Sequence, residues 1–558
     1  MDPEPLLRQS ATVAGAVDYR GRPVSRSSSG GWSSALFIIG VEIAERFAFY
    51  GISSNLITYL TGPLGESTAA AAAAVNTWSG VASMLPLVGA FVADSYLGRF
   101  RTIILASLLY IMGLGMLTLS SVLPSIHAPK CGDTTDLTAC RPSPAQVAFF
   151  YFSLYLVAFA QGGHKPCVQA FGADQFDQND PKECMDKSSF FNWWYFGLCG
   201  GTVVTLVIVS YIQDNISWGL GFGIPCIAML FALIVFLLGT KTYRFYVLED
   251  ESPFLRVSKT LGALVRRRQA RFPITSEETG EALQYKPSGG PNCSSSSKEI
   301  DSLDNVDHVN EAKGILRLFP IWATCLIYAV VFAQSSTFFT KQGSTLDRRI
   351  GSNLEVSPAA LQSFISASIV AFIPIYDRIL VPIARKFTKK PAGFTMLQRI
   401  GTGMVISLIS MVVAALVELK RLETARDFGL VDQPTATIPM SLWWLVPQYV
   451  LYGIADVFTM VGLQEFFYDQ IPDALRSLGL ALYLSIFGIG SFISSFLVSM
   501  IDKATAESGE SWFSNNLNRA HLDYFYWLLA GLSAVELVIY LYLAQVYAYK
   551  KKGSSAVV

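Results

Sequence analysis

The chain has 558 residues, 52% of them hydrophobic and only 15% charged, with zero formal net charge and a mean hydropathy of +0.40. Soluble domains carry about 25% charged residues, so this composition belongs to a membrane protein, and a balanced charge leaves no broad basic face for nucleic acid. The eight cysteines are scattered, with no Cys-x-x-Cys or Cys/His spacing on which a metal site could be built.

In chain order, residues 1–33 form a polar tail rich in Ser, Gly and Arg, which is not the layout of a cleavable signal peptide. Twelve apolar runs follow, at about 35–60, 71–93, 101–123, 145–167, 189–212, 219–239, 315–339, 359–383, 394–418, 440–463, 479–501 and 522–547. Each approaches the ~20 residues a helix needs to cross ~30 Å of hydrocarbon. Between the sixth and seventh lies a polar stretch with "RRRQAR" and "GGPNCSSSSKEIDS". Its first half predicts an amphipathic basic helix around 253–268 and its second half a disordered linker. The expectation is an all-α membrane protein with twelve transmembrane helices. A tail (1–33) leads into a six-helix bundle (34–239), a linker (240–314), a second six-helix bundle (315–548) and a short tail (549–558).

Basic residues set the orientation. Arg99, Arg101, Lys182, Lys187, the arginines at 266–268, Arg385, Lys386, Lys389, Lys390 and the lysines at 550–552 fall on one side, read as cytosolic with both termini and the linker. Lys341, Arg348, Arg349, Lys420 and Arg421 run against that count. Cys131 and Cys140 then share a loop on the opposite side, where they form either a disulfide or two free thiols. A weak internal repeat supports two related halves: "GAFVADSYLGRFRT" follows the second run and "PIYDRILVPIARKF" the eighth, each with an Asp at a cytosolic helix end.

The sharpest feature is "GVEIAERFAFYG". Glu42, Glu45 and Arg46 stand at i, i+3 and i+4, so they share one helix face. Charges in mid-membrane are costly and mark ion pathways or proton relays. Two carboxylates around one arginine, in a site where burial and like charge both favour the neutral acid, predict that one glutamate takes up and releases a proton. Lys165, near the end of the fourth run, and Glu465, near the end of the tenth, stand in opposite halves and are expected to pair across a cavity in one conformation and part in another. Snorkelling to the interface is the plainer reading of both. Glu42, Glu45 and Glu465 against Arg46 and Lys165 leave one surplus negative charge, which one bound proton neutralises. Asp94 with Arg99 and Arg101 reads as a cytosolic latch between helix ends. Thr102, behind "RFR", is either an ordinary threonine at a helix start or a phosphorylation site whose phosphate would meet two arginines and bias the latch; the second reading makes a regulatory kinase a partner. His164 reads as a hydrogen-bonded packing residue, and Tyr50, Trp193 and Trp194 are candidate cavity aromatics. Asp456, nine residues before Glu465, faces the other way along its helix and has no assigned role.

"VEIAERFAFYG", "ADSYLGRFRT", "GGHKPCVQAFGADQFD" and "GLQEFFYDQIP" together closely resemble the plant nitrate/peptide transporters of the proton-dependent oligopeptide transporter family, within the major facilitator superfamily. The resemblance runs from about 33 to 548. It implies the major facilitator fold, alternating access and proton symport driven by Glu42, Glu45 and Arg46, with Arg46, Lys165 and Glu465 contacting substrate or gating the cavity. Two departures bear on substrate. Peptide carriers of the family usually read "ERFxYYG", where this chain has Phe49 before Tyr50. The histidine that binds nitrate in the family's best-understood nitrate carrier is matched by Phe332. Both changes make the cavity more apolar and tilt the expectation toward a larger or organic solute.

The expected function is therefore a proton-coupled symporter for a small nitrogenous or organic solute: nitrate, a di- or tripeptide, or a plant metabolite or hormone. A nutrient sensor with little flux and an uncoupled facilitator are the alternatives. No enzyme, no metal and no cofactor is expected; protons are the coupling ion, and the partners are the substrate and the lipid bilayer. Asp2-x-x-x-Leu6-Leu7 resembles an acidic dileucine signal for the vacuolar membrane, with the plasma membrane as the alternative.

Overall fold

The computed structural model describes residues 12–123, 142–177, 180–246, 316–351, 354–388, 394–471, 476–507, 509 and 511–547. The long apolar runs become helices: α1 (Gly31–Ser53), α2 (Thr68–Val92), α3 (Arg99–Val122), α4 (Pro144–Ala173), α5 (Pro181–Val204, continued by Ser210–Asn215) and α6 (Trp218–Leu238). After the 247–315 segment come α7 (Phe319–Gly343), α8 (Pro358–Lys386), α9 (Met396–Asp427), α10 (Val446–Asp469), α11 (Arg476–Ala506) and α12 (Leu522–Val546). Eleven of these helical runs are long and apolar enough to cross a membrane. The remaining one, α1, has 23 residues but holds Glu42, Glu45 and Arg46 at its middle. The helices are greasy on their outer faces as well as their inner ones. Helix α6 buries Phe222, Met229 and Phe236 yet exposes Leu220, Ile227, Phe231 and Leu238, the pattern of a helix solvated by lipid.

Local sequence sets the helix ends. Ser143 and Thr395 open α4 and α9 with reciprocal capping boxes to Gln146 and Gln398. The expected single span near 315–339 is instead interrupted. Helix α7 consists of Phe319–Ala323, Leu326–Phe332, a tight turn at Ala333–Ser335, and Phe338–Gly343. The hydroxyls of Thr324, Ser335 and Thr337 donate to the carbonyls of Ile321, Phe332 and Ala333. That local bonding competes with the helical ladder, and apolarity alone does not reveal it. The internal repeat is visible in the backbone: α2 and α8 each contain a widened π-type turn, Ala93–Leu97 (ADSYL) and Tyr376–Leu380 (YDRIL), with the Asp of each repeat at its second position.

Helices α1–α6 pack among themselves, as do α7–α12, and the chief contact between the groups is α2 on α11. There Gly80 faces Phe492 and Gly488 faces Met84; a Cβ at either glycine would approach those side chains to 2.7 Å. Further bonds between the groups cluster at one end. Lys341 Nζ donates to Thr61 Oγ1 (2.9 Å), Gln362 to the Ser54 carbonyl (2.9 Å), Ser357 to Asp214 (2.6 Å) and Asn76 to Ser494 (2.9 Å). Two of the basic residues that ran against the orientation count are thereby explained. Lys341 is engaged at this junction, and Arg421 is fully buried against Glu418, so neither is a free loop charge.

Residues 12–25, within the stretch read as a polar tail, carry regular structure. Strands β1 (Thr12–Val17) and β2 (Pro23–Ser25) form an antiparallel hairpin, and β1 also pairs with β3 (Phe245–Tyr246) just after α6. Arg26 anchors the hairpin to Asp177 (2.5 Å), Asp180 (3.0 Å) and Glu183 (3.4 Å), and the buried Arg244 pairs with Glu183 (2.6 Å). Arg26 of the tail and Arg244 after α6 thus meet the acids of the α4–α5 turn, pairings 151 and 61 residues apart in sequence.

One close crossing joins α2 to α4. A Cβ at Gly162 would lie 2.6 Å from Leu85 Cβ and 3.0 Å from its backbone, whereas a Cβ at Gly40 meets nothing within 4 Å. Gly162→Ala is expected to destabilise by roughly 1–3 kcal/mol, the usual cost of overpacking. Gly40→Ala should be neutral or mildly stabilising, since helical glycine itself costs about 0.5–1 kcal/mol. Thermal unfolding of the two purified variants side by side checks the contrast.

Candidate functional site

The spacing i, i+3, i+4 on α1 puts Glu42, Glu45 and Arg46 on one face, and the bundle closes over it: their exposures are 1%, 0% and 4%. Arg46 Nε donates to Glu42 Oε1 at 2.9 Å, while Glu45 Oε2 lies equally close at 2.9 Å. One N–H cannot satisfy both, and Glu45 Oε2 accepts no hydrogen bond from it among the described residues. The other oxygen of Glu45 receives a long bond from the Tyr110 hydroxyl on α3 (3.4 Å), and Glu42 Oε2 has no hydrogen-bond partner among the described residues. The cluster is therefore short of donors. Adding a proton to one carboxyl would supply the missing donor, and removing it would restore the contest for Arg46.

Lys165, about two turns from the end of α4, lies in electrostatic reach of Glu45, Glu42 and Arg46. The structure does not pair it with Glu465. Glu465 is about half exposed and lies 3.7 Å from Arg399 Nη1, whose guanidinium sits 4.4 Å over the Tyr376 ring. Lys165 belongs with the α1 cluster and Glu465 with α9, because the hydrogen-bonded junction between the helix groups lies at the other end of the molecule. The neutralising ledger drawn from sequence changes accordingly: Glu465 has its own cation.

Phe49 stacks on Trp78 (centroids 5.5 Å, 19°) and meets Tyr50 edge-on at 5.5 Å. Across the bundle Phe332 meets Phe487 at 5.4 Å and Tyr452 at 5.9 Å. Trp193 is 58% exposed, too outward to line an interior cavity, and Trp194 packs beside Ile39 and Phe190. His164 is fully buried but, contrary to expectation, neither ring nitrogen has a hydrogen-bond partner among the described residues; its ring is edge-on to Tyr110 at 6.3 Å.

The latch is partly as expected. Arg99 lies 3.4 Å from Asp94 and 2.5 Å from Asp174, tying the ends of α2, α3 and α4. Asp174 was not singled out from sequence, although it stands in the same "FGADQFD" stretch. It lies beyond the end of α4, where burial pushes its carboxyl up and Arg99 opposes the shift. Arg101 is exposed and makes no ion pair among the described residues. Thr102 is 5% exposed and its hydroxyl donates to the Gly98 carbonyl at 2.9 Å, the bonding of an ordinary helix-start threonine. Cys131, Cys140, the 253–268 segment and the Asp2/Leu6/Leu7 pattern lie outside the described residues.

Two interior acids complete the picture. Asp456 on α10 is 4% exposed and accepts the Tyr328 hydroxyl at 2.5 Å. Glu536 on α12 is 6% exposed and accepts the Ile327 amide at 2.7 Å. Glu536 was missed although "SAVELVIY" gives the same signal as α1, a lone carboxylate in an apolar run.

A many-helix membrane bundle of two packed groups, with ionic side chains buried at its centre, defines a transporter rather than an enzyme. The POT family model matches residues 100–513, and the chain belongs to that family. It is 64% identical to the Arabidopsis thaliana protein NRT1/PTR FAMILY 5.10, over 97% of this chain and 98% of that one. It is 53% identical to NRT1/PTR FAMILY 5.14 of the same plant, with the same coverage. Among solved structures it resembles an auto-inhibited POT family peptide transporter (TM-score 0.69, 20% identity, 94% of this chain and 99% of that chain). It is also similar to the POT family transporter PepTSo (TM-score 0.69, 20% identity, 92% and 98%).

Proposed function

We propose that this transporter is a proton-coupled symporter that carries a small nitrogenous or organic solute by alternating access. The observation that carries the reading is the buried Glu42–Arg46–Glu45 cluster, in which one N–H lies 2.9 Å from two carboxylates. Such a cluster changes its hydrogen bonding with each proton gained or lost, and a bound anion or carboxylate near Arg46 and Lys165 would reset it again. Phe49 on Trp78 and Phe332 on Phe487 supply apolar walls that suit an organic body better than a bare inorganic anion. The junction at Lys341–Thr61 and Gln362–Ser54, with Glu465 open at the opposite end, is the arrangement of a carrier facing the cytosol. In this reading the twelve helices form two six-helix bundles, and Arg99, Asp94 and Asp174 brace the cytosolic end of the first. The vacuolar membrane is the proposed location on the strength of the N-terminal dileucine pattern, and a fluorescent fusion whose Leu6 and Leu7 are changed to Ala would redirect it.

The reading is tested by uptake into proteoliposomes with an acid exterior, offering labelled nitrate, a dipeptide, and a panel of plant hormones and glycosides. Gradient-dependent accumulation of one solute is expected. Uptake of a solute that equilibrates without responding to the proton gradient would replace the symporter with an uncoupled facilitator.

A further inference from the structure

Two carboxyls in the second helix group play no part in the α1 cluster. Asp456 and Glu536 grip consecutive residues of the broken helix α7: Asp456 through the Tyr328 hydroxyl (2.5 Å) and Glu536 through the Ile327 amide (2.7 Å). Both sit in the bundle interior, 4% and 6% exposed. Neither forms an ion pair with Lys, Arg or His among the described residues. The ionisable groups near Asp456 are Tyr328 from α7, Tyr452 on its own helix, Tyr483 from α11 and Tyr50 from α1; the one near Glu536 is Cys325 from α7. All of these are neutral as ordinary tyrosine or thiol.

The contrast with other interior acids is informative. Glu42 and Glu45 share Arg46, and Glu418 has Arg421; even the half-exposed Glu465 has Arg399. A carboxylate inside a membrane without a cation is strongly disfavoured. Interior acids of this kind mark proton routes in membrane carriers, and both of these bond to α7, an interrupted helix. Its helix stops at Ala323 and resumes at Leu326, with Glu536 bonding the first turn after the break. Tyr328 stands one turn from Phe332, which lies in the aromatic wall formed with Tyr452 and Phe487.

We infer that Asp456 and Glu536 form a second proton-binding site, in the second helix group, which holds or releases the Ile327–Tyr328 turn of α7. A proton from water adds to a carboxylate oxygen, and no other covalent bond is made or broken. With the carboxylate ionised, the Tyr328 hydroxyl and Ile327 amide are held as donors; with the acid neutral, that grip weakens and α7 is free to move against α10 and α12. The inference rests on the proton-coupled reading but concerns different residues, so the two can fail separately.

The test needs no substrate. Infrared difference spectra of the purified protein in lipid would be recorded between about pH 5.5 and 8, where ordinary carboxyls, with values near 3.9–4.3, are already ionised. The wild-type protein is expected to show carbonyl bands of carboxylic acids that gain and lose protons in this window. Asp456→Asn and Glu536→Gln should each remove one component. Tyr328→Phe, which keeps the ring and the packing, should shift the Asp456 component to higher frequency by removing its donor. Spectra of all three variants that superimpose on wild type, with Glu42→Gln or Glu45→Gln removing a component, would overturn the second site and leave the α1 relay standing. A spectrum with no carboxylic acid band in wild type would overturn both.

Discussion

Glu42→Gln and Glu45→Gln are each expected to abolish accumulation against a gradient while sparing part of the exchange activity. In the wild-type protein, one proton moved per neutral solute lets one pH unit support about tenfold accumulation, the equivalent of about 1.4 kcal/mol. In either variant the inside-to-outside ratio should stop near one. The amide keeps the shape of the side chain and still offers an oxygen to Arg46 Nε, so Arg46 retains an acceptor and one true carboxylate partner at 2.9 Å. Exchange of labelled for unlabelled solute across the membrane requires only that the loaded carrier reorient. It should persist at a reduced rate, because the variant is locked in one protonation state rather than unfolded. Removing Arg46 instead would leave two carboxylates buried without a cation and should cost about 3–5 kcal/mol, so Arg46→Ala is expected to fail at folding rather than at coupling. Proteoliposome uptake and counterflow measured on the same preparations separate these outcomes. Full accumulation in both glutamine variants would remove α1 from the proton path and shift the whole burden to Asp456 and Glu536.

The N-terminal cluster was legible because its signal is local: a charge within an apolar run and a spacing of three and four residues need no tertiary knowledge. The same holds for most helices, whose apolar length is set by the bilayer rather than by partners. The π-type turns were foreshadowed by the Asp repeat, though its backbone form was not. What sequence could not supply is pairing at a distance. Glu465 looked like a partner for Lys165 because opposite charges in opposite halves invite that match, but Arg399 lies closer to it on the neighbouring helix. Arg26 and Arg244 read as tail and linker charges, yet each finds acids on the α4–α5 turn. The break in α7 was hidden because hydroxyl-to-carbonyl bonds leave mean hydropathy unchanged. Asp456 was visible but unassignable, since its partner Tyr328 lies 128 residues away.

Arg421→Ala should be the most destabilising single substitution away from α1. Arg421 and Glu418 are both fully buried on α9, three residues apart, and meet through two bonds, Nε to Oε2 at 2.8 Å and Nη2 to Oε1 at 2.6 Å. The remaining guanidinium hydrogens reach Asn518 Oδ1 (2.9 Å) and the Leu517 carbonyl (2.7 Å), and Gln342 Nε2 donates to Glu418 (2.7 Å). The pair thus fastens α9 both to the loop before α12 and to the C-terminal end of α7, next to the Lys341–Thr61 contact that joins the two helix groups. Truncating Arg421 leaves Glu418 buried and without its cation, with an expected loss of about 3–5 kcal/mol, whereas an apolar pair of similar volume is often neutral or stabilising. Arg421→Met combined with Glu418→Leu should therefore recover most of the stability lost in Arg421→Ala. Arg421→Lys should fall between them, because a lysine keeps the charge but cannot make the two-pronged contact. Thermal unfolding in detergent ranks the four proteins, and an Arg421→Ala variant as stable as the apolar double would show that Glu418 is not dependent on its partner. Function supplies the second half of the prediction. If the pair only holds the fold, the apolar double should transport at the wild-type rate; if it also steadies the junction between the helix groups, the double should be stable yet exchange solute with an altered rate, because Gln342 has lost the carboxylate that positions it beside Lys341.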